Sequence, residues 1–300
     1  MRLHPEVRQA LDDNRPVVAL ESTVITHGLP RPANLELARK MERAVREEGA
    51  VPATIAILDG EIHVGLTEGQ LEAVAFAAQV EKASLWNLAA IMAQRKHGGT
   101  TVATTAFLAH KAGISVFATG GIGGVHPAGS GQASYDESAD LFELSRTPIV
   151  VVSAGPKSIL DLAATLERLE SFGVSLLGYK TDKLPAFHTR ESPFELPARV
   201  ESPEEAAAVF AQARRLLPSA TLVMNPVSRG LEWAQVQSWV EQANQEAARR
   251  GIYGKALTPF LLSRLAELSG GVTVEVNLRL LEENARLAAR IAGALAQLIA

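Results

Sequence analysis

The chain has 300 residues and a formal charge of −4, with 47% of its residues hydrophobic and no cysteine. That length suits one large α/β domain or two modest ones, and the charge leaves no basic footprint for nucleic acid, though a local basic pocket for a phosphate is compatible with it. Lack of cysteine excludes disulfides, thiolate zinc sites and a cysteine nucleophile; MRLHPEVRQALDDNRP has no signal-peptide core, and no apolar run reaches the ~18 residues of a membrane span, so a cytoplasmic protein is expected.

Residues 5–13 read as a short helix closed by Pro16, and Val17 to Leu20 as an apolar strand with Glu21 at its carboxyl end. The loop STVITHGLPRP follows, broken by Gly28, Pro30 and Pro32. Leu35, Ala38, Met41 and Val45 mark a helix that Gly49 ends. ATIAIL and EIHVGL flank Asp59-Gly60, a hairpin signal. Thr67 and Gln70 have capping-box spacing ahead of LEAVAFAAQ, and Lys82 sits in the connection beyond it. A helix over 84–95 is closed by Gly98 and Gly99; TTVATTAFLAHKAG is a short strand turning into a helix. The strand ISVFATG runs into GGIGGVHPAGSGQASYDESAD, the longest irregular stretch, and such loops are more often functional than idle.

Ile149 to Val152 is a continuous apolar run, as expected of a strand buried on both faces. Ser153, Ala154 and Gly155 turn the chain, and Pro156 suits a first helical position. Ile159, Leu162, Leu166 and Leu169 form the stripe of a helix, so Lys157 is expected in its first turn, at the strand edge where open α/β sheets hold ligands. Helix polarity and partial burial both disfavour an ammonium there, which favours a nucleophile; a solvated lysine at a helix start is the commoner alternative. Strand VSLLGY, loop KTDKLPAFHTRESPFELP, helix 202–216 and strand TLVMN follow, then helices near 230–249, 258–268 and 278–299. VTVEVNLRL is ambiguous between strand and helix. With no repeat or linker, one three-layer α/β/α domain over 1–300 is the simplest organisation.

Glu21 shares an edge with Lys157 if their strands run parallel, and a carboxylate beside an amine can move protons for it; a surface ion pair is the alternative. Gly120, Gly121, Gly123 and Gly124 suggest backbone approaching a ligand, although the spacing is neither a dinucleotide fingerprint nor a P-loop. His126, Asp136, Glu137, Ser138 and Asp140 offer mainly oxygen donors, which suit magnesium or manganese, while Ser138 can equally be a helix cap. Thr100, Thr101, Thr104 and Thr105 can hold phosphate oxygens or be ordinary strand and cap residues. Lys82 offers a point charge for a phosphate.

Together ALESTVITHGLP, GAVPATIAILDG, EIHVGL, GGTTVATT, ATGGIGGVH, ESADL, VVSAGPKSILDL and NLRLLEENARLAA closely resemble the blocks of the pseudouridine-5′-phosphate glycosidase, or indigoidine synthase A, family, in that family's order and over nearly the whole chain. The resemblance implies reversible cleavage of pseudouridine 5′-phosphate to uracil and ribose 5-phosphate through a lysine imine at C1′ of the ring-opened sugar. It implies Lys157 as nucleophile, Glu21 as proton donor, and Asp136 as ligand of one Mn2+ per subunit, with other divalent metals as alternatives. It also implies Lys82, Val102, Ser138, Ala139, Asp140, His126 and Asn277 as substrate-binding residues, beside the Thr101 already singled out. A mixed, largely parallel sheet, a homotrimer, and no nucleic-acid or membrane partner complete it. PAGSGQASY, between His126 and Asp136, departs from the family pattern by its length, by lacking a basic residue after the histidine, and by Tyr135 where phenylalanine is common. Alternatives are another phosphosugar lyase or nucleoside hydrolase with the same imine chemistry, and a non-catalytic phosphosugar-binding protein. A ribokinase-like kinase lacks its anion-hole motif here.

Overall fold

The computed structural model describes residues 1–28, 31–127 and 136–299. The elements are β1 (Arg2–Leu3), α1 (Pro5–Asp12), β2 (Val17–Leu20), α2 (Thr23–Thr26), α3 (Ala33–Glu47), β3 (Val51–Leu58), β4 (Glu61–Val64) and α4 (Glu68–Phe76). Then come β5 (Glu81–Ala83), α5 (Leu85–Ala93), β6 (Gly98–Thr100), α6 (Val102–Lys111), β7 (Val116–Ala118), α7 (Ala139–Leu144), β8 (Val150–Ser153) and α8 (Leu162–Ser171). The last are β9 (Ser175–Tyr179), β10 (Arg199–Val200), α9 (Pro203–Leu216), β11 (Thr221–Met224), α10 (Trp233–Arg249), α11 (Leu257–Leu268) and α12 (Val272–Ile299).

The strands join in the order β1-β4-β3-β2-β7-β8-β11-β9-β10, with β6 on β3 and β5 on β6. From β3 through β2, β7, β8, β11 and β9 to β10 every pairing is parallel, whereas β3 meets β4 and β6 antiparallel. β3 serves both sets because it is long: Val51 to Thr54 register with β2, and Ile55 to Leu58 with β4. Asp59 and Gly60, both at positive φ (50° and 78°), close that hairpin as the sequence leads one to expect. Thr67 and Gln70 form the capping box of α4.

Period-two alternation in the central strands divides the core in two. Val17, Ala19, Phe117, Val151 and Leu222 point to one face, covered by α1, α6, α7 and α8. Val18, Leu20, Val116, Val150, Val152 and Val223 point to the other, covered by α3, α9 and α12. Both faces of β8 are therefore buried, and Val150, Val151 and Val152 have no exposed surface. The result is the expected three-layer α/β/α sandwich on a mixed, largely parallel sheet. Among the described residues no helix is long and apolar enough to cross a membrane.

Four expectations are corrected and one ambiguity is resolved. Lys157 is not in a helical first turn: α8 starts at Leu162, with the Asp161 carboxylate accepting the Ala164 N–H at 3.0 Å. Ile159 belongs instead to a separate cluster with Leu160, α10 and α11. Gly98 and Gly99 do not close α5 but form β6, and Lys82 lies on β5 opposite Gly99 rather than in a connection. VTVEVNLRL is the start of α12, whose buried Val276, Leu280 and Leu281 fall at helical spacing. The STVITH loop contains the short helix α2, and most of the PAGSGQASY stretch, with Tyr135, lies outside the described residues.

Candidate active site

Parallel pairing of β2, β7 and β8 puts their carboxyl ends side by side. Leu20 registers with Ala118, so the next residues, Glu21 and Thr119, are neighbours. The Thr119 hydroxyl donates to one oxygen of Glu21, and Thr23 Oγ1 donates to the other at 2.7 Å. Glu21 is only 9% exposed. Burial pushes its carboxyl above the usual range; the charge on Lys157 and the two hydroxyls pull it back, and Asp140 adds to the rise. A carboxyl tuned in this direction is suited to giving a proton near neutral pH.

Beyond β8 the chain turns through Gly155 at φ +85°. Pro156 forms a parallel bridge with Ile122, and the Lys157 N–H donates to the Ile122 carbonyl at 3.1 Å. Along residues 150–160 Lys157 is the one residue that is not buried. Its charge acts on Glu21, Lys82 and His126 alike, so all three lie in its neighbourhood. Burial and then Lys157 hold the Lys82 amine below its usual range, against Asp140 and Glu21, which raise it.

The substrate-binding candidates gather at two helix starts. Thr101 is the N-cap of α6, Val102 its first residue, and both are buried. Ser138 is the N-cap of α7, accepting the Asp140 N–H at 3.2 Å, with Ala139 exposed beside it. Both carboxylate oxygens of Asp140 are engaged by backbone, one by Ala103 N–H at 2.9 Å and one by Gly123 N–H at 2.8 Å. Asp140 thus clamps the start of α6 to the glycine loop. The glycines of that loop are packed by the protein itself: a Cβ on Gly121 would meet Phe187 at 2.5 Å, and one on Gly124 would meet Thr165 Oγ1 at 2.4 Å. Close approach explains them, but not by a ligand.

Val125 pairs antiparallel with Glu137, and the His126 N–H donates to the Asp136 carbonyl at 2.9 Å, so His126 and Asp136 share a face. His126 Nε2 lies 3.2 Å from Thr258 Oγ1, while its buried Nδ1 has no partner among the described residues. Burial lowers the His126 pKa, with Asp136 opposing and Lys157 and Lys82 reinforcing. No group of three His, Cys, Asp or Glu residues able to hold a metal occurs among the described residues. A divalent ion at Asp136 therefore fits only with a shell completed by water and substrate oxygens, the habit of magnesium and manganese.

Asn277 is half-buried on α12, two turns before Asn284. Asn284 is the α12 residue tied to the strand ends: its amide donates to the Thr119 carbonyl at 2.8 Å and accepts from Asn225 at 3.0 Å. Thr119, Asn225, Asn284 and the His188–Ser158 pair were not singled out by sequence. A polar residue directly after each apolar strand was the available signal for Thr119 and Asn225.

A sequence model of the family described as indigoidine synthase A like protein matches residues 6–294. A Thermus thermophilus protein named pseudouridine-5′-phosphate glycosidase is 63% identical over 283 residues, covering 94% of this chain and 99% of that one. A protein of the same name from Symbiobacterium thermophilum is 51% identical over 296 residues, covering 97% and 96%. Two solved structures are similar throughout, each at 38% identity. The prealnumycin C-glycosynthase in complex with ribulose 5-phosphate gives a TM-score of 0.91 over 99% of this chain and 97% of that one. An indigoidine synthase A-like protein from Thermotoga maritima gives 0.87 over 94% of each chain.

Proposed function

Because the chain belongs to the indigoidine synthase A-like family, we propose that it is a lyase-class glycosidase that reversibly cleaves pseudouridine 5′-phosphate to uracil and ribose 5-phosphate. One observation carries the reading: a buried carboxyl with a raised pKa stands within the field of the one accessible lysine on the β8 turn. Uracil leaves from carbon, so protonating an oxygen leaving group does not suffice as it does for ordinary glycosides.

The Lys157 amine bonds to C1′ as the C1′–O4′ bond breaks, and a proton passes from the nitrogen to O4′, which becomes the 4′-hydroxyl. Glu21 gives a proton to uracil C5. The C1′–C5 pair goes to C5, and the nitrogen lone pair completes an imine at C1′. Water hydrolyses the imine, freeing ribose 5-phosphate and the amine. Lys82, with Thr101 and Val102 at the α6 start, receives the phosphate. The Ser138–Ala139–Asp140 run, His126 and Asn277 line the rest of the pocket. Asp136 would hold Mn2+, which would supply positive charge to the site. One domain over residues 1–300, a homotrimer and a cytoplasmic location belong to the same reading.

The test is intact mass after borohydride reduction with ribose 5-phosphate, on wild type and Lys157→Ala. One reduced adduct in wild type alone supports the imine at Lys157. An adduct in both variants moves it to another lysine, and none in either overturns it. Cleavage of pseudouridine 5′-phosphate but not of uridine 5′-phosphate supports the substrate.

A further inference from the structure

His188 is 2% exposed, and Ser158, the residue after Lys157, is 1% exposed. Their side chains meet at 2.9 Å, His188 Nδ1 to Ser158 Oγ. Burial pushes the imidazole down to about 3, so it is neutral at working pH. The mechanism uses neither group, and the KTDKLPAFHTRESPFELP segment that carries His188 has no role in it.

That segment backs the Lys157 turn at two further points. A Cβ on Gly155 would meet the Pro185 carbonyl at 2.0 Å. The Phe187 N–H donates to the Ala154 carbonyl at 2.8 Å, and its ring lies against Gly121. Phe187 also packs edge-on to the His188 ring, 4.8 Å between centroids. The His188 carbonyl accepts the Leu231 N–H at 2.8 Å, which fixes the histidine from the far side. The turn is thus held between the glycine-loop segment around Ile122 on one side and this wall on the other. His188–Ser158 is the side-chain hydrogen bond of the wall that lies next to the nucleophile.

Resting on the reading of Lys157 as nucleophile, we infer that His188 is a positioning residue: through the Ser158 hydroxyl it fixes the backbone from which the Lys157 amine reaches C1′. The wall does this work because no helix does, α8 starting only at Leu162. Misplacing a reacting group by about 1 Å can cost on the order of 100-fold, and one buried hydrogen bond is a smaller perturbation.

The test compares wild type, Ser158→Ala, His188→Phe, the double variant and His188→Asn, which keeps a polar atom near the Nδ1 position. The readouts are kcat, KM and the rate of borohydride-trapped adduct with ribose 5-phosphate, per folded molecule. Ser158→Ala and His188→Phe should each lower kcat and trapping about tenfold, with KM changed less than about threefold. The double variant should fall no further, because both changes cut one contact, and His188→Asn should recover most of the loss. Lower melting temperature with unchanged trapping per folded molecule would overturn the inference, as would additive losses. If His188→Phe does not fold, Ser158→Ala and His188→Asn decide alone. If wild type forms no adduct, it is the nucleophile reading that fails.

Discussion

The two side chains proposed to react are held in different ways. Glu21 stands one residue beyond β2, and the ladder fixes it: Leu20 registers with Ala118, and the neighbouring strand's next residue, Thr119, grips the carboxylate. Lys157 stands on a turn with neither strand nor helix, fixed by contacts to residues 120–125 and 185–188. A carboxyl acid needs a dry, defined environment, which sheet register supplies cheaply. A nucleophile must reach a substrate carbon while its neighbours stay buried, and a turn clasped from two sides achieves that.

The largest expected effect removes one member. Lys157→Ala should abolish turnover and adduct formation while leaving the melting temperature near that of wild type, since the side chain is half-exposed. Activity surviving in that variant would dissolve the comparison. Glu21→Gln should slow cleavage by about 10²- to 10⁴-fold, the usual scale for a lost acid–base group; a change in KM alone would remove its proton-transfer role. The same variant has a stability signature. A carboxyl whose folded pKa is raised costs the native state nothing below the unfolded value of 4.5, and stability is lost as pH rises through the folded pKa. Glu21→Gln should therefore melt higher than wild type at pH 8 and gain nothing at pH 4.

Next in size is a change on the lysine side that leaves the lysine in place. Gly155→Ala forces a Cβ onto the Pro185 carbonyl at a positive φ, and should destabilise by more than about 2 kcal/mol in chemical denaturation. Trapping per folded molecule should fall with it; a fully active, fully stable variant would show that the wall does not matter. Smaller still is Thr119→Val. It removes one hydroxyl from Glu21 at constant volume, and should cost about two- to twelvefold in kcat, the range of one net hydrogen bond. Because that hydroxyl lowers the Glu21 pKa, the alkaline limb of the kcat profile should move up in pH. A limb that stays put would place another group in the acid role.

The same contrast explains what could be read from the sequence. Local signals were legible: apolar strands, the Asp59-Gly60 hairpin, the Thr67–Gln70 box, the α6 and α7 caps. So the place of Glu21 at the end of VVAL is legible, because it depends on its own strand. Lys157 reads as helical from sequence because Pro156 and Ile159 mimic helical spacing. Ile159 is apolar for another reason, packing on α10 and α11, which lie more than 70 positions away in the chain. The glycines of GGIGG pointed to close approach, but which atoms approach is decided by Phe187, Ser138 and Thr165, and no local pattern states that. His188 was invisible for the same reason, since its partner is 30 residues away.

The last expected effect vanishes at neutral pH and tests the dryness of the wall. His188 is neutral in the fold, with a pKa of about 3, and 6.5 when unfolded. A histidine depressed in this way contributes stability that is complete above pH 6.5. Below that the unfolded chain takes up a proton that the native chain refuses, so stability falls until about pH 3. The slope for one such group approaches about 1.4 kcal/mol per pH unit. Against wild type, His188→Phe should lose less melting temperature between pH 6.5 and 4, while its profile from pH 7 to 9 runs parallel. Parallel acid limbs would mean that the imidazole is charged or hydrated in the native protein. The wall would then be wet, and His188 would hold Ser158 as one conformer among several rather than as a fixed support for Lys157.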